Sequence, residues 1–326
     1  MIRGPLEYNR LASRDVVAGA LKYKNLCGRM EEVSETETTP VKLGVIGGSG
    51  VYQMDGVEIV GEHEIETPFG PPSDGLVETR VGERTVFFLP RHGKGHRLLP
   101  SEVPYRANVH AMKSAGVTHL LAVSAVGIMK EHIRPGDMVT PDQIFDRTKG
   151  IRPSTFFGDG VAGHVSLADP FCDELRQFLA EAARSCSATV HEGGTYVCME
   201  GPQFSTRAES HFYRNAVDAS VIGMTAIPEA KLAREAEMCY AMLAMGTDYD
   251  CWHETEEDVS VEAVIAILRA NAEMANRVVQ VAAGLLPEVS SCACLSAARF
   301  ATITSPEAIS AKAKARLRLL YGKYWD

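Results

Sequence analysis

The stretch whose reading decides the fold is Cys-Tyr-Ala-Met-Leu-Ala-Met-Gly-Thr-Asp-Tyr-Asp-Cys-Trp, residues 239–252. Its first seven residues are an unbroken apolar run, which reads as a buried strand. Continued a little, that strand sets Asp248 and Asp250 two apart and pointing the same way. Two carboxylates side by side at a strand end do not both ionise easily, so one pKa is expected to rise. A protonated acid beside an ionised one is a donor–acceptor pair. It suits a ligand edge with one acceptor and one amino group, such as the N7 and 6-amino edge of adenine. A polar turn closing the strand accounts for residues 247–252 equally well, with Asp chosen for turn geometry. The rest of the chain has to decide.

Outward from this strand, apolar runs alternate with helical patterns. The fold is expected to start at Val41, with a strand at 42–46 leading into Gly47-Gly48-Ser49-Gly50. Glycines there let backbone N–H groups converge on an anion, and the Ser49 hydroxyl adds a donor. The spacing is neither the dinucleotide fingerprint nor a Walker A loop. Residues 57–66 and 74–81 read as antiparallel strands, and 84–89 as a strand ending in Pro90-Arg91-His92-Gly93-Lys94-Gly95-His96. Arg91 and His92 make a compact basic loop where α/β sheets bind ligands, and Arg is a natural phosphate ligand. A helix at 104–115 and a strand at 120–123 precede Ser124-Ala125, another small-residue turn at a strand end. Residues 137–146 read as one strand segment, and Asp169-Pro170 as a helix start. Strands at 195–199 and 219–223 lead to Phe204-Ser205 and Met224-Thr225, and 228–237 is helical. A long helix is expected over 259–285, with Ser260 as a candidate cap, and a terminal helix over 305–321. His110 and His119 fall in ordinary structural patterns. The whole favours an α/β fold, a single domain with a mixed central β-sheet flanked by helices.

Composition narrows the function. Across 326 residues the formal net charge is −9, which argues against a nucleic-acid partner. A small anion would need a local positive site. The eight cysteines include no CxxC, and Cys292 and Cys294 do not suggest a metal site without further ligands. Reduced thiols in a cytoplasmic protein are expected. An uncharged apolar run of about 18 residues is lacking, so no membrane span is expected. Residues 1–40 read as a poorly ordered, dispensable extension, with Met30 as an alternative start. The domain is expected over 41–287, followed by a C-terminal extension at 288–326.

The motifs occur together in one order. They are Gly47-Gly48-Ser49-Gly50, Thr67-Pro68-Phe69-Gly70 with Pro72-Ser73-Asp74, Arg91-His92-Gly93 with His96, and Asp146-Arg147-Thr148 with Arg152-Pro153. Then come Glu200-Gly201-Pro202 with Phe204-Ser205, Arg207-Ala208-Glu209-Ser210, Met224-Thr225 with Pro228-Glu229, and Thr247 to Trp252. In these the chain resembles the trimeric purine nucleoside phosphorylase family, and within it the branch acting on methylthioadenosine. The resemblance implies phosphorolysis of that nucleoside to adenine and 5-methylthioribose 1-phosphate. Phosphate is then a co-substrate, no metal or other cofactor is needed, and the chain is a homotrimer. It puts phosphate on Ser49, Arg91, His92, Ser124, Ala125 and Thr225, and the ribose on Met224. Phe204 and Ser205 frame the base, and Asp248 and Asp250 read its edge, with Asp248 as general acid. Val261, Val264 and a neighbouring subunit's His164 line the 5′-methylthio pocket. Relatives acting on 6-oxopurines usually carry Asn where Asp248 stands. Ser49 and Ser124 replace a frequent Thr, Gly223 a frequent Asn, and Gln203 a frequent Arg. The family's tail contact has no clear counterpart after residue 288.

Overall fold

The computed structural model describes residues 38–48, 57–253 and 261–325, the side chains of 261–266 and 268 excepted. In chain order these form β1 (Thr39–Pro40), β2 (Leu43–Gly47), β3 (Glu58–His63), β4 (Leu76–Val81), β5 (Arg84–Pro90), α1 (Tyr105–Ser114), β6 (His119–Ile128), β7 (Met138–Thr140) and β8 (Gln143–Arg147). There follow α2 (Asp173–Ser185), β9 (Val190–Glu192), β10 (Thr195–Met199), α3 (Arg207–Asn215), β11 (Ala219–Gly223), α4 (Ala226–Glu235), β12 (Cys239–Tyr249), α5 (Val261–Leu285), β13 (Val289–Ser290) and α6 (Ala311–Tyr321).

Strands β6 and β12 run parallel at the centre, from His119 opposite Cys239 to Ile128 opposite Tyr249. Side chains alternate across a sheet, so each strand feeds two cores. Leu120, Ala122, Tyr240, Met242 and Ala244 enter one, with Val109 and Met112 of α1, Ala230 and Leu232 of α4, and Leu317 of α6. Leu121, Val123, Ala241, Leu243 and Met245 enter the other, with Leu175 and Leu179 of α2 and Val278 and Val279 of α5. A strand apolar on both faces therefore has helices on both sides, as the run 239–245 implies. The sheet is mixed: β2 is parallel to β5 and β6, whereas β3–β4, β4–β5 and β6–β11 are antiparallel. Residues from Thr39 onward make one compact unit, and none of the described helices is long and apolar enough to cross a membrane.

Strand β6 is the branch point. On one edge it pairs with β2 as far as Gly47 opposite Val123, and with β11 only from Gly127 and Ile128. Residues 124–126 between them have no partner strand on that edge among the described residues. The edge changes partner there, which is where open α/β sheets leave a crevice.

Local boundaries differ from the sequence expectation in several places. Strand β6 runs on to Ile128, so Ser124 and Ala125 lie within the strand rather than in a turn after it, because β12 stays paired with it there. Residues 137–146 are two strands, β7 and β8, because Pro141 has no N–H to continue the ladder. Helix α2 begins at Asp173 rather than at Asp169-Pro170. Phe171 and Cys172 are buried, and the Cys172 N–H donates to the Tyr240 carbonyl at 2.7 Å, which holds the chain extended against β12. The terminal helix starts at Ala311, where the Ser310 hydroxyl accepts from the Ala313 N–H at 3.2 Å. Ser260 lies outside the described residues.

The segment after residue 287 joins the body of the fold. Strand β13 pairs antiparallel with β1, and Leu317, Leu320 and Tyr321 of α6 sit in the first core. The Tyr321 ring stacks on Phe157 with centroids 4.8 Å apart. Leu317 is fully buried, so Leu317→Ala is expected to cost about 2–5 kcal/mol in urea denaturation. A change under about 0.5 kcal/mol would mean that α6 is not part of the cooperative core.

Candidate active site

Arg91 follows β5 directly and is 1% exposed. A charge buried so deeply needs a partner, and Glu229 of α4, fully buried, supplies one. Arg91 Nε donates to Glu229 Oε2 at 2.8 Å and Nη2 to Oε1 at 3.0 Å. Nη2 also donates to the Ile46 carbonyl of β2 at 3.2 Å, and Nη1 to the Val123 carbonyl of β6 at 3.1 Å. Among the described residues these use four of the five guanidinium N–H groups, which leaves one on Nη1. The bidentate fork expected on phosphate is thus held by Glu229. Burial disfavours the guanidinium charge, but the Glu229 carboxylate outweighs it and raises the pKa further.

Next to Arg91, His92 is also buried, and its pKa is lowered from 6.5 to about 4 by burial and by the Arg91 charge. The ring is therefore neutral at pH 7. Its Nδ1 lies 2.8 Å from the Leu98 carbonyl, which only accepts, so Nδ1 carries the proton. Nε2 is left as an acceptor, able to receive the O–H of a monoprotonated phosphate but not to donate to an anion.

The edge of β6 carries the next groups. Ser124 Oγ lies 3.2 Å from Thr225 Oγ1, which stands two residues after β11, and both side chains are buried. Ala125 is exposed in the gap left between β2 and β11. A second buried pair supports this side. Arg152 Nε donates to Glu200 Oε1 at 2.5 Å, and Nη1 donates to the carbonyls of Met224 at 2.6 Å and Ile227 at 2.8 Å. Arg152 thereby ties the segment after β10 to the one that carries Met224 and Thr225. The Tyr196 hydroxyl, 3.4 Å from the Thr225 backbone nitrogen, completes it. A Cβ at Gly223 would come within 2.1 Å of that hydroxyl, which accounts for glycine at this position.

The aspartate pair closes the far end of β6. Gly246 of β12 opposes Val126, but Asp248 opposes Gly127, so Thr247 is an extra residue in the ladder. In a ladder with Thr247 paired to Gly127, Asp248 would oppose Ile128 and face the first core. In the bulged ladder, a Cβ built on Gly127 would lie 3.8 Å from Asp248 Oδ1 and 3.6 Å from Asp250 Cβ, so both aspartates stand on the side of Gly127. They differ in setting. Asp248 is exposed, and Thr247 Oγ1 donates to its Oδ2 at 2.6 Å. Asp250 is buried, and its Oδ2 has no hydrogen-bond partner among the described residues. The Cβ built on Gly127 would also meet Ile222 Cγ2 at 3.0 Å, so glycine is what lets these side chains close in here, and the orphaned buried acceptor is a place for a ligand donor.

Other expected site residues are distributed as follows. Ser205 is half-buried beside the pair, its carbonyl 3.5 Å from Cys251 Sγ. Phe204 is 80% exposed, and Met224 is half-buried. His164 is exposed and its N–H bonds to the Ala301 carbonyl. It lines a separate cavity of about 570 Å³ with Phe157, Lys231 and Glu235, and none of Arg91, Ser124, Thr225, Asp248 or Asp250 lines it. Ser49 lies outside the described residues, as do the side chains of Val261 and Val264, which stand in the first turns of α5. Residue patterns alone assign no role to Glu229, Arg152, Glu200 or Tyr196, although three of them lie in the quoted motifs.

The sheet thus changes partner at β6 beside the Ser124 and Thr225 hydroxyls, and the two aspartates stand at the far end of the same strand. The profile described as Phosphorylase superfamily matches residues 42–283, and the chain belongs to this family. It is 55% identical over 282 residues to the S-methyl-5′-thioadenosine phosphorylase of Geobacter sulfurreducens, spanning 86% of this chain and 98% of that one. Against the enzyme of the same name from Koribacter versatilis it is 50% identical over 87% and 97% of the two chains. Among solved structures, a methylthioadenosine phosphorylase from an antarctic soil metagenomic library superposes with a TM-score of 0.81 at 49% identity, covering 86% of this chain and 99% of that one. A variant of adenosine/methylthioadenosine phosphorylase from Schistosoma mansoni, in complex with methylthioadenosine, gives 0.70 at 41% identity over 75% and 91%.

Two outcomes follow from this geometry. Glu229→Ala strands the buried Arg91 charge and is expected to cost about 3–5 kcal/mol, read from the urea midpoint. Protonation of His92 near 6.5 when unfolded but near 4 when folded makes the unfolded chain bind more protons between these values. Stability therefore falls as pH drops from 6.5 towards 4. The loss between pH 7 and pH 5 is expected to be smaller in His92→Asn. An equal loss would assign the effect to other groups.

Proposed function

We propose that the chain catalyses phosphorolysis of S-methyl-5′-thioadenosine to adenine and 5-methylthioribose 1-phosphate. The observation that carries this reading is the Ser124–Thr225 hydroxyl pair on the β6 edge together with Asp248 and Asp250 at the end of β12. The activity of relatives about half identical over nearly their whole length supports the same substrate.

In this reading phosphate takes the Ser124 and Thr225 hydroxyls, the His92 Nε2 acceptor and the remaining Arg91 N–H, with Ser49 and the Ala125 backbone completing the cradle. The bond between C1′ and N9 breaks with its electrons moving to the base. Asp248 gives its proton to N7, and a phosphate oxygen forms the new bond to C1′. Asp250 Oδ2 accepts from the 6-amino group. The held phosphate supplies both nucleophile and countercharge to the cationic sugar. Met224 packs on the ribose, Phe204 and Ser205 border the base, and Val261, Val264 and His164 of a neighbouring copy line the 5′ pocket of a homotrimer. No metal or organic cofactor enters the chemical step, and a cytoplasmic location suits the substrate.

Adenine release from methylthioadenosine is expected to require phosphate, and hydrolysis at an equal rate without it would reject phosphorolysis. Ser124→Ala is expected to raise the KM for phosphate well above any change in the KM for nucleoside. Asp248→Asn is expected to lower kcat/KM for methylthioadenosine by about 10²–10⁴ and to narrow its lead over inosine. Turnover within about threefold of the unaltered enzyme would remove Asp248 from the acid role.

A further inference from the structure

We propose that Cys172, Cys239, Cys292 and Cys294 form a tetrathiolate site for a soft divalent metal ion, zinc by the geometry, that fastens the C-terminal segment to the central strand. Their sulfurs all lie within 4.8 Å of one another, and those of Cys172 and Cys292 are 3.6 Å apart. Four sulfurs at about 2.3 Å from a tetrahedral zinc stand about 3.8 Å from each other, so movements of about 1 Å or less bring all four onto one centre. Taken alone, Cys292 and Cys294 are only a two-residue chelate. The fold adds the other two ligands, Cys172 from 120 residues before Cys292 and Cys239 from the start of β12.

The backbone fixes these positions without help from a metal. Cys172 N–H donates to the Tyr240 carbonyl at 2.7 Å, and Cys239 N–H to the Thr118 carbonyl at 2.9 Å. The Cys292 N–H donates to Ser290 Oγ at 3.1 Å. A site so held loses little freedom when an ion binds. The surroundings also favour thiolate. Cys172 is the N-cap of α2, where the helix dipole stabilises negative charge. Arg234 Nη1 lies 3.5 Å from Cys294 Sγ. Four thiolates on a divalent ion carry a net charge of −2, and a guanidinium and a helix N-terminus offset part of it. Packing of small apolar side chains explains the burial of three of the four cysteines but not the arginine aimed at one sulfur. Cys172, Cys239 and Cys294 are buried, whereas Cys292 is partly exposed and gives an ion a way in.

Binding exchanges thiol protons for metal–sulfur bonds and involves no change of oxidation state. The site sits at the start of β12, whereas Asp248 and Asp250 stand at its other end, about 30 Å away at 3.3 Å per residue. Its role is therefore structural. The full chain, purified under reducing conditions without chelator, is expected to contain one zinc ion per chain by elemental analysis. Exchange into Co²⁺ is expected to give thiolate charge-transfer and tetrahedral d–d absorption bands. Cys294→Ser and the milder Cys292→Ser should each lose the bands and lower Tm, whereas Cys186→Ser, outside the cluster, should keep both. Absence of zinc together with absence of cobalt bands would overturn the proposal. So would bands that survive both Ser variants, or disulfides among the four in the alkylated, non-reduced protein.

Discussion

The buried ion pair between Arg91 and Glu229 is the constraint on which the site depends. One guanidinium touches three strands: it follows β5, and it donates to backbone carbonyls near the end of β2 and within β6. Its carboxylate partner adds α4, and the Tyr240 hydroxyl of β12 donates to Glu229 Oε1 at 3.0 Å. Such a pair contributes little net stability over an apolar filling of the same shape, but half of it alone is expensive. Its value is geometric. It holds β2, β5 and β6 together where Arg91 leaves the sheet.

Arg152 and Glu200 repeat the device one strand further along. Here the guanidinium fork grips backbone carbonyls of Met224, Ile227 and Glu200 itself, which fixes a segment with no ladder of its own. Thr225 is thereby held against Ser124. Both devices bury a cation and spend most of its hydrogen bonds on the protein. In the proposed reading the negative charge of the chain as a whole is no obstacle to phosphate, because the local donors are hydroxyls, a backbone and the residue of a paired charge.

How much of this could be read from residues follows from the range of each interaction. The central strand, its two covered faces and the aspartates at its end were legible, because period-two alternation and an apolar run are local signals. Strands 195–199 and 219–223 stand where expected for the same reason. The bulge at Thr247 was not legible: it exists only relative to β6. Glu229 lies 138 residues from Arg91, and Cys172 lies 120 from Cys292, so neither partnership leaves a mark in any window of sequence. The helix start at Asp169-Pro170 failed for a related reason, since the tertiary contact of Cys172 with β12 overrode good local capping chemistry. The roles of Phe204 and His164 rest on the resemblance, since both are exposed in the single chain.

The unequal settings of the two aspartates bear on recognition. A buried carboxylate oxygen without a donor costs about 1–3 kcal/mol, and among the described residues Asp250 Oδ2 has none. Asp248 is exposed and held by the Thr247 hydroxyl. An unsatisfied acceptor is tolerated where a ligand supplies the missing hydrogen, and a 6-amino group is such a donor. A 6-oxo group would set an acceptor against an acceptor and keep the cost in place. Discrimination between the two purine edges would then arise less from what the favoured base gains than from what the other base fails to relieve. Thr247 makes this arrangement available, because its extra place in the ladder takes both carboxylates out of the core and sets them beside a glycine with no side chain in the way.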